Sequence, residues 1–368
     1  MIDRQLIFHI NWPVLAVIFL LFAAGVLNLY SASAFRIGEG TALTPFYSRQ
    51  VFWGGISFLA MVMIMVFDYR HFKNSAWLIY LLAVALLVAV LIWGRTIYGA
   101  QRWLDFGFFS FQPSEVAKIA VVLIMASFLT RIKHPLAFND MLKAMAIVVV
   151  PACLVIRQPD LGSALLLVFL AAGMIMYHGI RKQLFKALLL IAPLLVPLGW
   201  MFLKDYQKVR LLAFLNPGQD PLGSGYHVIQ SQIAIGSGRF WGKGFMEGTQ
   251  SQLRFLPEKH TDFAFSVYGE EWGFAGSMLL ILLFCTFLYQ IFVCSQEAKD
   301  KFGSMICVGV FFYFFWQILI NIGMVLGLMP VVGIPLPFIS YGGTSLLVNF
   351  IMIGLVLNVS MRRFMFKS

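Results

Sequence analysis

Residues 12–30 read WPVLAVIFLLFAAGVLNLY, a run without a single charged side chain. A helix needs roughly 20 apolar residues to cross the hydrocarbon core of a bilayer. This run is therefore long enough to span a membrane, and it lacks the small-residue site at which a signal peptide is cleaved. We expect it to stay in the protein as the first of several membrane-spanning helices.

Similar apolar runs recur along the whole chain. Of its 368 residues, 60% are hydrophobic and 12% are charged, and the mean hydropathy is +0.85, which is typical of a polytopic membrane protein. The runs are apolar on all sides rather than alternating, which favours helices over a β-barrel. The sequence predicts an all-α membrane protein with about ten spans: 11–30, 51–67, 75–93, 113–130, 142–156, 162–179, 185–203, 263–293, 304–326 and 346–360.

Positive charges are distributed unevenly between the two sides of these spans. The loops of one side carry 14 Lys and Arg residues, whereas the short loops of the other side carry five. Loops rich in Lys and Arg face the cytoplasm, so both termini are predicted to be cytoplasmic. The net charge of +11 has this cause, and we expect no nucleic-acid partner.

Two stretches of the predicted outer side are irregular. A long insert at 204–262 separates the seventh and eighth spans, and it is too rich in aromatic residues to be disordered. Residues 327–345 are apolar but broken by prolines and glycines, which predicts a re-entrant segment or a surface loop. We interpret residues 1–368 as a single membrane domain whose insert forms a large extracytoplasmic loop.

The candidate functional residues gather on this predicted outer side. Asp262 lies where the insert meets the eighth span, and His260 is two residues before it. A partly desolvated carboxylate has a raised pKa and suits a general base. At the same boundary, an aspartate can instead cap the helix N-terminus. The residues alone leave both roles for Asp262 open.

Three further segments carry ionisable residues with two possible roles each. Glu115 and Lys118 share a helix face within a span, which indicates either a functional site or a structural pair with Lys118 extending to the interface. Arg102 can hold phosphates together with Lys118, or anchor the chain at the headgroups beside Trp103. Asp160 lies between two spans, where it can line the site or cap a helix.

Four stretches, taken together, resemble one family. The order and spacing of these motifs match the SEDS family, and GTQSQ resembles its elongation member more than its division relative. The motifs are GAQRWLD at 99–105 with FQPSEVAK at 111–118, QPDLG at 158–162, GTQSQ at 248–252 with FLPEKHTDF at 255–263, and Pro335 through SYGG at 340–343.

The resemblance implies a peptidoglycan glycosyltransferase of the bacterial inner membrane, acting in cell-wall elongation and cell shape. Such an enzyme polymerises lipid II into glycan strands and releases undecaprenyl diphosphate. Asp262 matches the essential aspartate of the family and would act as general base. The resemblance further implies a class B penicillin-binding protein, a transpeptidase, as partner, together with other proteins of the elongation complex.

The other candidates then receive roles around the substrate. Arg102 and Lys118 would stabilise the diphosphate leaving group, with a divalent cation (Mg²⁺ or Mn²⁺) assisting. Glu115 would orient Lys118, and Asp160 and His260 would line the substrate site. The sequence contains no cluster with metal-ligand spacing.

Two other functions compete with the polymerase. A lipid II flippase needs polar residues along the whole membrane path, yet here they gather on the outer side, which favours the enzyme. Gln317 and Asn321 are the main exceptions within a span, and a helix–helix hydrogen bond also explains them. A scaffold protein would not need Asp262, Lys118 and Arg102 to converge.

Overall fold

The computed structural model describes residues 10–38, 45–97, 100–105, 107, 110–202, 205–215, 224–253, 255–256 and 258–363. Its helices are α1 Trp12–Gly38, α2 Phe46–Val66, α3 Tyr69–Trp93, α4 Pro113–Leu129, α5 Phe138–Arg157, α6 Leu161–His178, α7 Lys182–Phe202, α8 Asp205–Leu215, α9 Ser224–Ser237, α10 Thr249–Gln252, α11 Ala264–Gln296, α12 Lys301–Val325 and α13 Gly343–Met361. Its strands are β1 Arg95–Ile97, β2 Ala100–Asp105 and β3 Ser110–Phe111, which form an antiparallel sheet.

The apolar runs fold as predicted. Within the described ranges, eight helices are long and apolar enough to cross a membrane. The predicted spans at 113–130 and 185–203 overlap α4 and α7, and residue 203 lies outside the described part. The chain is therefore a multi-pass all-α membrane protein, as its sequence predicts.

Helix α4 occupies the centre of the bundle. It has only 17 residues, and nearly all of them are buried, because α3, α5, α6, α12 and α13 pack around it. A helix that is apolar on all sides is stable in such a position. Any charged residue of α4 therefore lies inside the protein rather than against lipid.

The insert at 204–262 is more ordered than its loop-like sequence suggests. Its described residues include α8, α9 and α10, while residues 204, 216–223, 254 and 257 lie outside the described part. Gly99 of the first motif also lies outside it. Helix α9 packs on α11 and α12, so the insert is held against the spans that follow it.

A break in α11 joins the insert to the membrane helix. Gly273 has φ 64° and ψ −160° within this helix, a conformation that is essentially restricted to glycine. The carbonyls of Glu270 and Glu271 accept from the backbone N–H groups of Lys243 and Gly244, each at 3.1 Å. Beyond the break, the N–H groups of Phe274 and Ala275 donate to the carbonyls of residues 239 and 240 at 2.9 and 3.0 Å. The 238–244 loop thus satisfies the polar groups that the break exposes.

The segment between α12 and α13 enters the bundle without forming a helix. Phe338 is 1% exposed and packs against the rings of Phe287, Phe314 and Phe350, with centroids 5.6–5.8 Å apart. Its φ of 64° is unusual for a residue with a side chain, and such strain persists only where packing enforces it. This burial identifies the segment as re-entrant, the first of the two forms predicted from its prolines and glycines.

A substitution of Gly25 tests the depth of this segment. A Cβ atom at Gly25 on α1 would lie 2.1 Å from the Phe338 carbonyl oxygen. We expect Gly25→Ala to destabilise the protein by about 1–3 kcal/mol, the usual cost of overpacking, as measured by thermal unfolding in detergent. Gly55→Ala is the matched control, because nothing lies within 4 Å of its added Cβ. Equal melting temperatures for the two variants would contradict the packing described here.

Candidate functional site

Arg102 lies on β2 and is directed towards the turn between α5 and α6. Its Nε atom donates to the Gln158 carbonyl at 3.1 Å, and its guanidinium also donates to the Pro159 carbonyl. A cavity beside this turn is lined by Arg102 and Pro159, by Gln207 of the insert, and by residues 330–332. Arg102 thus borders a protein cavity at this end of the bundle, in addition to any contact with headgroups.

Asp160 connects this turn to the start of α4. It is the N-cap of α6, where its Oδ1 accepts from the Ser163 N–H at 3.1 Å. Its Oδ2 accepts from Gln112 Nε2 at 3.3 Å, and Gln112 is the N-cap residue of α4. The capping role predicted as one alternative for Asp160 is therefore present. The same contacts fix the N-termini of α4 and α6 side by side.

Glu115 and Lys118 form a buried ion pair one turn into α4. Lys118 Nζ lies 2.6 Å from Glu115 Oε1, and the two residues are 1% and 3% exposed. Lys118 Nζ also lies 5.9 Å from the centre of the Tyr313 ring. Lys118 therefore does not extend to the membrane interface, because α4 lies in the centre of the bundle. Charges in such a position are costly, which points to a role beyond stability.

Asp262 is held by the backbone around it. Its carbonyl accepts from Asn321 Nδ2 at 3.0 Å, and the same amide donates to the Ile334 carbonyl at 2.7 Å. A Cβ atom at Gly333 would lie 3.5 Å from Asp262 Oδ2, so the carboxylate faces a residue without a side chain. The N-cap position of α11 is Phe263, and Asp262 precedes it.

His260 is tied to the end of the re-entrant segment. The Tyr341 N–H donates to the His260 carbonyl at 2.8 Å. The His260 ring lies 4.3 Å from the ring of Phe46 at the start of α2, and Phe46 also contacts Tyr341. This cluster fixes the chain two residues before Asp262.

The re-entrant segment brings the two groups of candidates together. On one side, Gly333 borders the Asp262 carboxylate. On the other side, the Val332 carbonyl lies against α6, where a Cβ at Gly162 would be 2.4 Å from its oxygen, and Val332 lines the cavity beside Arg102. All the predicted site residues thus lie at the end of the bundle where α4 and α6 begin and α12 ends. A carboxylate and basic side chains at one end can serve proton transfer and anion binding.

The sequence did not reveal the roles of Asn321 and Glu270. Asn321 was interpretable as a helix–helix contact, but it holds Asp262 and Ile334. The buried Glu270 carboxylate accepts from the Gln250 and Ser251 N–H groups at 2.9 and 3.2 Å and pairs with Lys243 Nζ at 2.7 Å. It therefore stabilises the N-terminus of α10 and positions the GTQSQ motif. The sequence feature that could have indicated a role for Glu270 was the pair of adjacent acidic residues near a predicted span.

A divalent cation needs several ligand atoms that converge on one point. Among the residues that the structure describes, no group of three or more His, Cys, Asp and Glu side chains is placed to hold one. A cage built by the protein alone is therefore not supported in these ranges.

Comparison with known proteins shows matches over nearly the full length. The family model of cell cycle proteins named for FtsW, RodA and SpoVE matches residues 11–364. The peptidoglycan glycosyltransferase MrdB of Escherichia coli (strain K12) is 38% identical over 361 residues, covering 98% of this chain and 96% of MrdB. The peptidoglycan glycosyltransferase RodA of Treponema pallidum (strain Nichols) is 31% identical over 411 residues, covering 92% and 94%.

Solved structures match as well. A chain from a peptidoglycan synthase complex, studied for its coordination of polymerization and crosslinking, superposes with a TM-score of 0.82 at 32% identity, covering 96% of this chain and 98% of that one. The crystal structure of RodA from Thermus thermophilus gives a TM-score of 0.71 at 27% identity, with coverages of 97% and 98%.

Proposed function

Because this chain belongs to the FtsW, RodA and SpoVE family of cell cycle proteins, it is a peptidoglycan glycosyltransferase, and we propose that it polymerises lipid II with Asp262 as general base. The family agrees with the SEDS resemblance of its motifs. The observation that carries the assignment of Asp262 is its placement: Asn321 holds its backbone, and its carboxylate lies beside Gly333 of the re-entrant segment.

The proposed reaction is a single displacement at the donor sugar. Asp262 accepts the proton of the acceptor's 4-hydroxyl while that oxygen attacks the anomeric carbon of the donor glycan. The bond between that carbon and the diphosphate oxygen breaks, and undecaprenyl diphosphate leaves with the bonding electrons. Arg102 and Lys118 would stabilise the charge that develops on the diphosphate. Because Glu115 holds Lys118 at 2.6 Å, the ammonium has little freedom to move.

The remaining substrate contacts and the cation stay proposals. Asp160 and His260 would act by fixing the walls of the site, since each is bonded to its framework. A Mg²⁺ or Mn²⁺ ion, held largely by the substrate's phosphates as Mg²⁺ prefers, stays a prediction.

Membership of this family also supports proposals for the protein partner and for the orientation of the chain in the membrane. We propose a class B penicillin-binding protein as transpeptidase partner, because a structural relative is part of a synthase complex that coordinates polymerization and crosslinking. We also propose that the protein is a multi-pass component of the bacterial inner membrane with cytoplasmic termini. In this orientation Asp262 and the insert face outward, where lipid II is polymerised.

A reconstitution experiment tests polymerase against flippase. The purified protein is placed in liposomes with labelled lipid II, with and without the candidate transpeptidase, and glycan strands and lipid II scrambling are measured separately. We expect glycan strands. Scrambling in the absence of any polymer, with or without the partner, would contradict the polymerase and support the flippase.

Asn321 provides a test of how Asp262 is positioned. Asn321→Leu keeps the approximate shape but removes the donor to two carbonyls, so we expect a decrease in kcat of about 100-fold, the scale of a 1 Å misplacement, with little change in KM. Gln317→Leu, one turn earlier on α12 and equally buried, is the matched control and should keep kcat. A change in KM alone, or equal losses in both variants, would contradict a positioning role for Asn321.

A further inference from the structure

An apolar groove opens on the bundle surface at the end opposite to Asp262. It has a volume of about 360 Å³ and is formed by α5, α6 and the start of α7. Its walls contain only apolar side chains, among them Met141, Met145 and Met176. Methionine side chains adapt to irregular apolar ligands, and three of them line this groove.

The groove has the depth of one bilayer leaflet. Its α5 wall runs from Met141 to Val149, which is about 12 Å at 1.5 Å per helical residue. Half of a hydrocarbon core is about 15 Å. Helix α6 starts at the Asp262 end of the bundle with Leu161 and reaches the groove near its other end, at Met176. The groove therefore lies in the leaflet that is remote from the glycosyltransferase site.

Positive charge lies at the mouth of the groove. A second cavity shares Met176, Ile180 and Phe185 with the groove and is lined by Lys182 and Lys186. These two lysines are exposed and four residues apart, so they occupy one face of α7. Both lie at the start of α7, where unpaired backbone N–H groups favour an anion. The apolar groove thus leads directly to two ammonium groups.

Little negative charge opposes these lysines. Helices α5, α6 and α7 contain a single acidic residue, Asp140. Its carboxylate lies 3.8 Å from Lys143 Nζ, so its charge is largely compensated locally. The net field at the mouth of the groove is therefore positive.

We propose that this groove binds an anionic phospholipid, with one acyl chain between α5 and α6 and the phosphate on Lys182 and Lys186. A basic pocket beside transmembrane helices is the arrangement that recognises anionic headgroups. The charge at the mouth favours a phospholipid over an apolar helix of another protein, which would not need the two lysines. The site is separate from the one that holds Asp262.

Native mass spectrometry of the full-length protein in detergent tests this site. The probes are phosphatidylglycerol and phosphatidylcholine with identical acyl chains. We expect the protein to prefer phosphatidylglycerol, and we expect Lys182→Gln with Lys186→Gln to weaken its binding about 30-fold, which corresponds to about 1 kcal/mol per lysine. The matched control is Lys299→Gln with Lys301→Gln, two lysines at the same end that do not line the groove; it should keep the preference.

A second variant tests the acyl-chain part of the proposal without changing charge. Ala172→Phe places a large ring in the groove from an exposed position of α6. This variant should weaken the binding of both lipids, while its melting temperature should equal that of the wild type. Equal binding of the two lipids by the wild type would overturn the proposal. So would a preference for phosphatidylglycerol that survives the loss of both lysines, or a protein that occupies the groove and excludes both lipids.

Discussion

Replacement of Asp262 by asparagine is expected to lower the rate of lipid II polymerisation by about 10²–10⁴-fold, the range that general-base catalysis contributes. Asparagine keeps the shape of the side chain but cannot accept the proton of the acceptor hydroxyl. Asn321 holds the backbone carbonyl of residue 262, and this bond does not depend on the side chain. The geometry of the site should therefore survive the substitution.

The measurement compares purified wild type and Asp262→Asn, each with the candidate transpeptidase, on labelled lipid II. Asp140→Asn is the control, because this carboxylate lies in the first turn of α5, away from the proposed site. We expect it to keep the wild-type rate. Thermal unfolding of both variants establishes that they are folded. Equal polymerisation by wild type and a folded Asp262→Asn would remove Asp262 from the mechanism.

Loss of Lys118 alone should destabilise the protein strongly. Lys118→Met leaves the buried Glu115 carboxylate, 3% exposed, without its counter-charge, which typically costs about 3–5 kcal/mol. The double variant Glu115→Gln with Lys118→Met removes both charges, so it should recover most of this stability. Unfolding by heat or denaturant in detergent measures both variants.

The same pair of variants separates structure from function. If Lys118 binds the diphosphate, the double variant should be stable yet at least tenfold slower in polymerisation, because the charge on the leaving group has lost its partner. A double variant that regains both stability and activity would assign the pair a purely structural role. A single variant as stable as wild type would contradict the burial described for α4.

The number and type of the membrane helices were predictable because a backbone that spans lipid must satisfy its hydrogen bonds within the protein. Their ends were less predictable. Helix α3 begins at Tyr69 rather than at residue 75, because Asp68 caps it by accepting from the Arg70 N–H at 2.9 Å. Hydropathy locates the apolar part of a helix, whereas caps determine where the helix begins. No apolar run in the sequence indicated the small β-sheet at 95–111.

In the candidate site, contacts between residues close in sequence were predictable, whereas contacts between distant residues were not. The cap formed by Asp160 and the ion pair of Glu115 with Lys118 join residues three apart, so sequence spacing predicted both. The contact between Asn321 and the Asp262 carbonyl joins residues 59 positions apart, and spacing cannot predict it. The inward direction of Arg102 likewise depends on the turn at Gln158, which is 56 residues away.

The break at Gly273 determines how this protein can be recombined with its relatives. A chimaera that exchanges only residues 204–262 would replace the loop whose backbone pairs with residues 270–275 of the recipient. Any change in the length or register of residues 238–244 would leave peptide groups of α11 without these partners. The exchangeable module is therefore residues 238–275, which includes the start of the span. Chimaeras with a junction between the loop and the break should express poorly, whereas those with a junction after Ala275 should assemble.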